Sequence, residues 1–329
     1  MYEDVIRFAH LSDPHLDIIT PPEPAQLLSK RILGWTNWQR KRRHHHRSEI
    51  LRKITDDIAN AQVDLIALTG DVANIALPGE FERAASWVES LGSPDHVMFV
   101  PGNHDAYVEL DWEKSLGLLA SFMKGARLAE PKQAGIDQNR AAESFDDFPY
   151  VRQIGPFAFI GLNSSPSTLP GLATGKIGRA QIDRLSQMLQ GLGDNSFKII
   201  MLHHPAVKGI VGRHKSLDDG DALLEILKQN PVDLVIHGHA HFPCFSKIEL
   251  PSDQKQRTIP HIGVASASYG GKGENAGENG YRPAAQYHLY TVKKLDTQFE
   301  LHLEVRGLNL DTGRVEKLEV KDLSNGLAV

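Results

Sequence analysis

The chain has 329 residues, 41% of them hydrophobic and 23% charged, which is enough apolar material for one large α/β domain or two smaller ones. Its formal net charge of −5 argues against bulk electrostatic binding of nucleic acid, and no specific nucleic-acid partner is expected. One cysteine, Cys244, rules out an internal disulfide and a thiolate zinc site, so the sixteen histidines are the softer metal ligands available.

The N-terminus enters an apolar run at once, without a basic start and a small-residue cleavage site. No apolar run approaches the roughly 20 residues of a membrane span. A cytoplasmic protein is expected. Short apolar, β-branched runs predict strands at Ile6–Leu11, Val63–Thr69, Val97–Pro101, Phe157–Leu162, Phe197–Leu202 and Val232–His237. Helical spacing recurs between them at Ile50, Ile54 and Ile58, at Phe81, Ala85 and Val88, and at Ile182, Leu185 and Leu189. This alternation predicts an α/β layered fold. After Pro243 the helices cease. Phe245–Leu250, Thr258–Val264, Gln286–Val292 and Phe299–Arg306 read as antiparallel strands, expected to form a second sheet against the first. The Gly- and Asn-rich stretch "SYGGKGENAGENGYRP" breaks them. We expect one domain over residues 1–329, with a motif-bearing core in 1–243 and a C-terminal β section in 244–329. Two long insertions, Asp17–Arg47 and Leu110–Asp147, have the length of lids or binding loops.

Five apolar runs end the same way. "FAHLSDPHLD" ends on Asp13 and His15, and "VDLIALTGDVAN" on Asp71 and Asn74. "FVPGNHDAYV" ends on Asn103, His104 and Asp105, and "FKIIMLHHPA" on His203 and His204. "VDLVIHGHAHF" ends on His237, His239 and His241. In an α/β sheet, ligands bind beyond the carboxyl ends of the strands, so these clusters can converge. Asp, Asn and neutral His suit a pair of first-row metal ions, and two ions about 3.5–4 Å apart need a shared carboxylate.

The five blocks "SDPHLD", "TGDVAN", "VPGNHD", "LHHP" and "GHAH" resemble, in order, those of the calcineurin-like metallophosphoesterases. The branch they resemble most is that of the bacterial class III cyclic-nucleotide phosphodiesterases. The resemblance implies a two-sheet α/β sandwich with helices outside. It also implies two divalent or mixed-valence metal ions (Mn, Fe or Zn). Asp13, His15 and His241 would hold one ion, Asn103, His203 and His239 the other, and Asp71 would bridge them. His104 would face the substrate. The implied reaction is hydrolysis of a small or lipid-like phosphodiester by a metal-bridging hydroxide. Phosphomonoesterase or nuclease activity on the same centre is the alternative, and a non-catalytic scaffold is the alternative of another class. Phosphoprotein phosphatases of the superfamily carry an acid three positions after the bridging Asp. Here Asn74 stands there, a candidate substrate contact that can orient His104 but not carry its charge. Asp105 is the other candidate for that task, although adjacent residues rarely face one another.

His204 is read either as a turn-capping residue or as a substrate contact, and His237 as support for the site. Cys244 is read as a small buried residue. Between Lys30 and Lys53 lie nine Lys or Arg residues and one Glu, around the tract "RKRRHHHRS". Two readings of this segment compete. In one it is a solvated helix face. In the other Arg42 and Arg43 attract an anionic substrate, and residues 27–53 touch an anionic membrane. Leu28, Ile32 and Trp35 are expected on one helical face, with Trp38 at its edge. Three consecutive histidines cannot chelate one ion from a regular helix, so His44–His46 are not expected as ligands. The oligomeric state is left open.

Overall fold

The structure is a computed structural model describing residues 4–18, 20–127, 139–193, 195–230, 232–250, 258–271, 282–296 and 298–324. The middle of the second insertion and most of the glycine-rich stretch fall outside these residues. Two six-stranded sheets form the body. The first runs β12 (Val315–Asp322), β11 (Phe299–Leu308), β10 (Gln286–Lys294), β1 (Val5–Leu11), β2 (Leu65–Leu68), β3 (Val97–Phe99). The second runs β4 (Tyr150–Ile154), β5 (Phe157–Gly161), β6 (Phe197–Met201), β7 (Leu234–His237), β9 (Thr258–Gly263), β8 (Cys244–Glu249). The expected α/β sandwich is thus observed.

Continuous apolar runs reflect burial on both faces of a sheet. In the second sheet Phe157, Phe159, Ile199, Met201, Leu234 and Ile236 belong to the core shared with the first sheet. Their neighbours Ala158, Ile160, Ile200, Leu202 and Val235 pack beneath Ile182 and Leu185 of α5 (Arg179–Gly191) and Leu223 of α6 (Gly220–Gln229). The sheets meet where Phe8 stands edge-on to Phe159, with ring centroids 5.1 Å apart. On the first sheet, α3 (Ser48–Asn60) contributes Ile50, Ile54 and Ile58, and α4 (Pro78–Leu91) contributes Phe81, Ala84 and Val88.

The C-terminal strands correct one expectation. They do not make a sheet of their own. β10, β11 and β12 extend the first sheet antiparallel from β1, while β9 joins β7 in parallel and carries β8 at the edge. Two strands escaped the sequence reading. β12 has no buried residue, so it carries no apolar signal. β4 is short and interrupts its pattern with Arg152 and Gln153. Cys244 is half-buried at the start of β8.

The first insertion is helical. Its helix α1 (Arg31–Asn37) continues through a π-helical turn, Trp38–Arg42, into the short α2 (Arg43–His45). Its inward face differs from the expected one. Arg31 is buried, donating from Nε to the Ile75 carbonyl at 3.0 Å and from Nη2 to that of Ala76. Trp38 is buried against Ile18, Ile75 and Leu77, with Trp35 stacked on it at 5.0 Å. Leu28 and Ile32 are exposed instead. Leu28 precedes α1, and the face that docks is the row Arg31, Trp35, Trp38, Arg42.

Candidate metal centre and its cavity

All seven expected ligands lie just beyond strand ends. Asp13 and His15 follow β1, Asp71 follows β2 and Asn103 follows β3, all from parallel strands of the first sheet. His203 follows β6, and His239 and His241 follow β7, from parallel strands of the second. The carboxyl ends of both sheets therefore share one point.

The loops are tight. Asp13, His15, Asp71, His239 and His241 all adopt positive φ, between 42° and 68°. For non-glycine residues this costs about 1–2 kcal/mol each, and such strain concentrates at functional sites. The loops after β1 and β2 are zipped by Asp13 N–H to the Gly70 carbonyl and His15 N–H to that of Asp71, both at 3.0 Å. Gly102 has no alternative here, because a Cβ on it would lie 2.2 Å from Asp71 Oδ1. Asp105 fastens the same corner. Its carboxylate accepts from the backbone N–H groups of Asp71, Ala73 and Gly102 at 2.8–2.9 Å. Its hydrogen bonds go to these backbone groups, while the His104 ring is bonded by Asn74 and Arg42, so Asp105 does not orient that ring. Burial and then the neighbouring Asp71 charge push its pKa up to about 7.

The donor atoms fall into two sets about Asp71. His15 Nε2 is 3.2 Å from His241 Nε2, which is 3.1 Å from Asp13 Oδ1. Across the site, Asn103 Oδ1 is 2.8 Å from His239 Nδ1 and 3.1 Å from His203 Nε2. Asp71 Oδ2 lies 3.7 Å from His15 Nε2 and 3.5 Å from His203 Nε2. One carboxylate oxygen faces both sets.

These residues fit a pair of cations. His15 Nδ1 donates to the Ala73 carbonyl at 3.2 Å and His203 Nδ1 to that of Thr69 at 2.7 Å, so each Nε2 turns its lone pair inward. Asp13 Oδ1 is buried without a hydrogen bond. Burial tends to raise the Asp71 pKa, but His203 and His104 outweigh it and hold the carboxyl well below its usual range. His203 shows the matching demand. Burial opposes its charge, yet Asp71 lifts it to about 9, so the site calls for positive charge where a metal ion would sit.

His104 stands beside the cluster rather than in it. Its backbone N–H donates to Asp71 Oδ1 at 2.7 Å. Its Nδ1 donates to the backbone carbonyl of Asn74 at 2.5 Å, and its Nε2 accepts from Arg42 Nη2 at 2.7 Å. Burial and then Arg42 lower its pKa to about 3, leaving a neutral imidazole. The Asn74 side chain does something else. Its Nδ2 donates to the Leu16 carbonyl at 2.6 Å, and the residue does not line the cavity.

A cavity of about 400 Å³ opens over this centre. Asp71, Asn103, His104, His239 and His241 line one wall, and Lys41, Arg42, His45, His46, Lys215, Tyr269 and Arg282 line the rest. Arg42 thus reaches the site. Arg43 is exposed, with Nε on His44, and is not in the lining. His204 is also absent from it. Its Nδ1 pairs with Ser164 Oγ at 2.9 Å and its Nε2 with the Ala173 carbonyl at 3.2 Å, so both nitrogens are spent on the protein. His237 is likewise buried behind the site, its Nδ1 on the Gly238 carbonyl.

Sequence reasoning missed His46. The residue ends α2 in an extended conformation and so leaves the helix that would have pointed it elsewhere. It is 5% exposed, and its Nδ1 pairs with Ser268 Oγ at 2.7 Å. One ring nitrogen each of His15, His46 and His241 lies within 4.8 Å of the others. The available signal was its place at the end of an insertion that must return to the core.

Two sheets whose carboxyl ends share an Asp/His/Asn centre define a metallophosphoesterase architecture. Residues 6–243 match the calcineurin-like phosphoesterase family, and the chain belongs to it. A protein named as a probable cyclic nucleotide phosphodiesterase from Synechococcus sp. is 31% identical over 185 residues, 54% of this chain and 58% of that one. A 3′,5′-cyclic-nucleotide phosphodiesterase from Nostoc sp. is 26% identical over 183 residues, covering 55% and 56%. The chain thus matches little more than half the length of these relatives. A dimetal phosphatase from Danio rerio shares the fold, with TM-score 0.57 at 14% identity over 98% of this chain and 99% of that one. A purple acid phosphatase from yellow lupin does so with TM-score 0.54 at 14% identity over 96% and 53%.

Proposed function

We propose that the protein is a metal-dependent phosphodiesterase that hydrolyses a small or lipid-like phosphodiester. The observation that carries this reading is the Asp71 carboxylate, one oxygen of which faces two separate donor sets. Asp13, His15 and His241 would hold one ion, Asn103, His203 and His239 the other, and Asp71 would join them. Mn, Fe and Zn all suit these donors. When bound, such a pair supplies Lewis acidity and a hydroxide nucleophile at neutral pH.

The chain's own residues supply the rest. His104 stabilises charge on the phosphoryl oxygens once its Nε2, which accepts from Arg42 in the free protein, takes up a proton as the substrate anion arrives. For that, Arg42 turns its N–H from His104 Nε2 to a substrate oxygen. The guanidinium thus keeps the place that the anion takes, and both groups then face it. The buried strand-end loops hold the donors in position before substrate arrives. A scaffold without catalysis would have no need to keep all seven donors together, five of them in strained backbone. The sharing of C-terminal strands between both sheets supports reading residues 1–329 as one working unit.

Among the described residues no helix is long and apolar enough to cross a membrane. We place the protein in the cytoplasm, touching anionic membrane through residues 27–53. Leu28, Ile32 and Leu33 are exposed there among basic side chains. The test is turnover by purified protein with Mn²⁺ on a cyclic nucleotide, a linear diester and a monoester, alongside metal analysis. Two bound ions with preference for diesters is the expected result. Preference for the monoester, or full activity with one ion, would overturn it.

A further inference from the structure

Two hydrogen bonds hold the His104 ring in the free protein, one to the Asn74 carbonyl and one from Arg42. The second ends when Arg42 turns to the substrate. The ring is then tethered at Nδ1 alone, at the moment when the aim of Nε2 matters most. What remains is packing. The His15 ring meets it edge-on, at 85° with centroids 5.0 Å apart. The Tyr107 ring lies almost parallel to it, with 9° between the planes and 5.6 Å between centroids. A flat neighbour in this offset arrangement resists tilting of the imidazole, which a single bond at its edge does not prevent.

Tyr107 does not line the cavity. It packs instead on the cluster of Ile18, Trp38, Ile75 and Leu77. Lys30 Nζ stands 4.7 Å over its ring and donates to the Thr168 carbonyl. Its hydroxyl meets the Lys30 carbonyl at 3.4 Å. Gly34 of α1 permits this approach, because a Cβ there would lie 2.8 Å from Tyr107 Oη and 2.5 Å from Ile75 Cγ2. The ring is thus seated between the inserted segment and His104.

We propose that Tyr107 is a positioning residue, which fixes the plane of the His104 ring once Arg42 has turned away. This rests on the role of His104 in the phosphodiesterase reading. Tyr107 acts through His104 and does not meet the phosphoryl group.

The test uses the full chain with Mn²⁺ and bis(4-nitrophenyl) phosphate. Tyr107→Leu is expected to lower kcat about tenfold, with KM and bound metal unchanged. Tyr107→Phe keeps the ring and should stay within about twofold of wild type. In the His104→Ala background Tyr107→Leu should cost nothing further, because the ring it positions is gone. An equal loss in both backgrounds would show a merely structural role, and wild-type kcat in Tyr107→Leu would show that His104 needs no such support. Either result overturns the proposal. If Tyr107→Leu does not fold, Tyr107→Met replaces it under the same criteria. Failure to turn over any diester would overturn the phosphodiesterase reading instead. NMR of ¹³C-labelled histidine then decides the role of Tyr107 by itself, in an Arg42→Ala background that frees Nε2. The His104 Cε1–H signal, assigned by its absence from His104→Ala, should be single with Tyr107 or Phe and broadened or doubled with Leu. One sharp, unshifted signal in all three would overturn the proposal.

Discussion

The two walls of the cavity are built by different rules. The ligand wall consists of loops that leave buried parallel strands, and its side chains are aimed by backbone geometry. Five of its residues sit at positive φ, and their rings are fixed by carbonyls of the neighbouring loops. The opposite wall comes largely from the inserted segment around α1 and α2. Among its ties are the Trp35–Trp38 pair, the buried Arg31, the bond from His46 to Ser268 and a short strand-like contact between His46 and Tyr269. The first wall is suited to holding ions in place. The second can vary without disturbing the sandwich, so it is where specificity would be set.

The largest effect should come from the residue that joins the two donor sets. Asp71→Asn leaves its volume unchanged but removes the charge that His203 and His15 face. Turnover should fall by more than roughly 10³-fold, with both ions lost together. Metal analysis of the purified variant checks this. Retention of one full equivalent would show that the two donor sets fill independently.

His104→Ala should separate chemistry from metal binding. The side chain contacts Asn74 and Arg42, while its backbone N–H, which the variant keeps, holds Asp71. Turnover should drop about 10²–10³-fold with metal content intact. A loss of metal would move His104 into the ligand wall.

The ligand wall was legible in the sequence because each donor follows a short apolar run, and the ends of parallel strands must converge. The inserted wall was much less so. Its docking face is set by Arg31 and Arg42 at either end of the tryptophans, and a search for apolar periodicity passes over inward-facing arginines. The π-helical turn at Trp38–Arg42 then alters the rotation per residue, and the extended His46 abandons the helix altogether. Asn74 and His204 misled for a related reason. Their positions in the motifs are those of the site, but their side chains are spent on the Leu16 carbonyl and on Ser164 and Ala173. Motif position gives the loop and does not give the direction of a side chain within it.

His46 tests whether the inserted wall takes part in the metal centre. Its ring lies 4.6 Å from that of His15, centroid to centroid, and Ser268 fixes its other edge. His46→Ala should weaken metal retention about tenfold, the scale seen when a partner of a ligand is removed. Equilibrium dialysis at graded Mn²⁺ measures it. Unchanged affinity would confine His46 to the role of anchoring the insertion.

The smallest effect on the fold should come from the outer face of the same segment. Leu28 is 87% exposed and Leu33 is 57% exposed, so neither contributes much to folding. Changing both to Ser should alter stability by no more than about 0.5 kcal/mol, as for ordinary surface positions. Trp35 and Trp38 differ, because they pack on each other and on Ile18, Ile75 and Leu77, and their replacement would loosen the wall itself. The leucine pair therefore isolates the membrane question. Exposed aliphatic side chains in the same segment as the exposed Arg40, Lys41 and Arg43 have the composition of a stretch that rests on an anionic surface, gaining from both burial and charge. Sedimentation with phosphatidylglycerol-containing vesicles should show weak binding by wild type that falls with added salt and is reduced in the Leu28→Ser, Leu33→Ser variant. Turnover of a water-soluble diester should be the same for both proteins. If wild type does not sediment with vesicles at low salt, the inserted wall serves the cavity alone, and the lipid-like substrate loses its support.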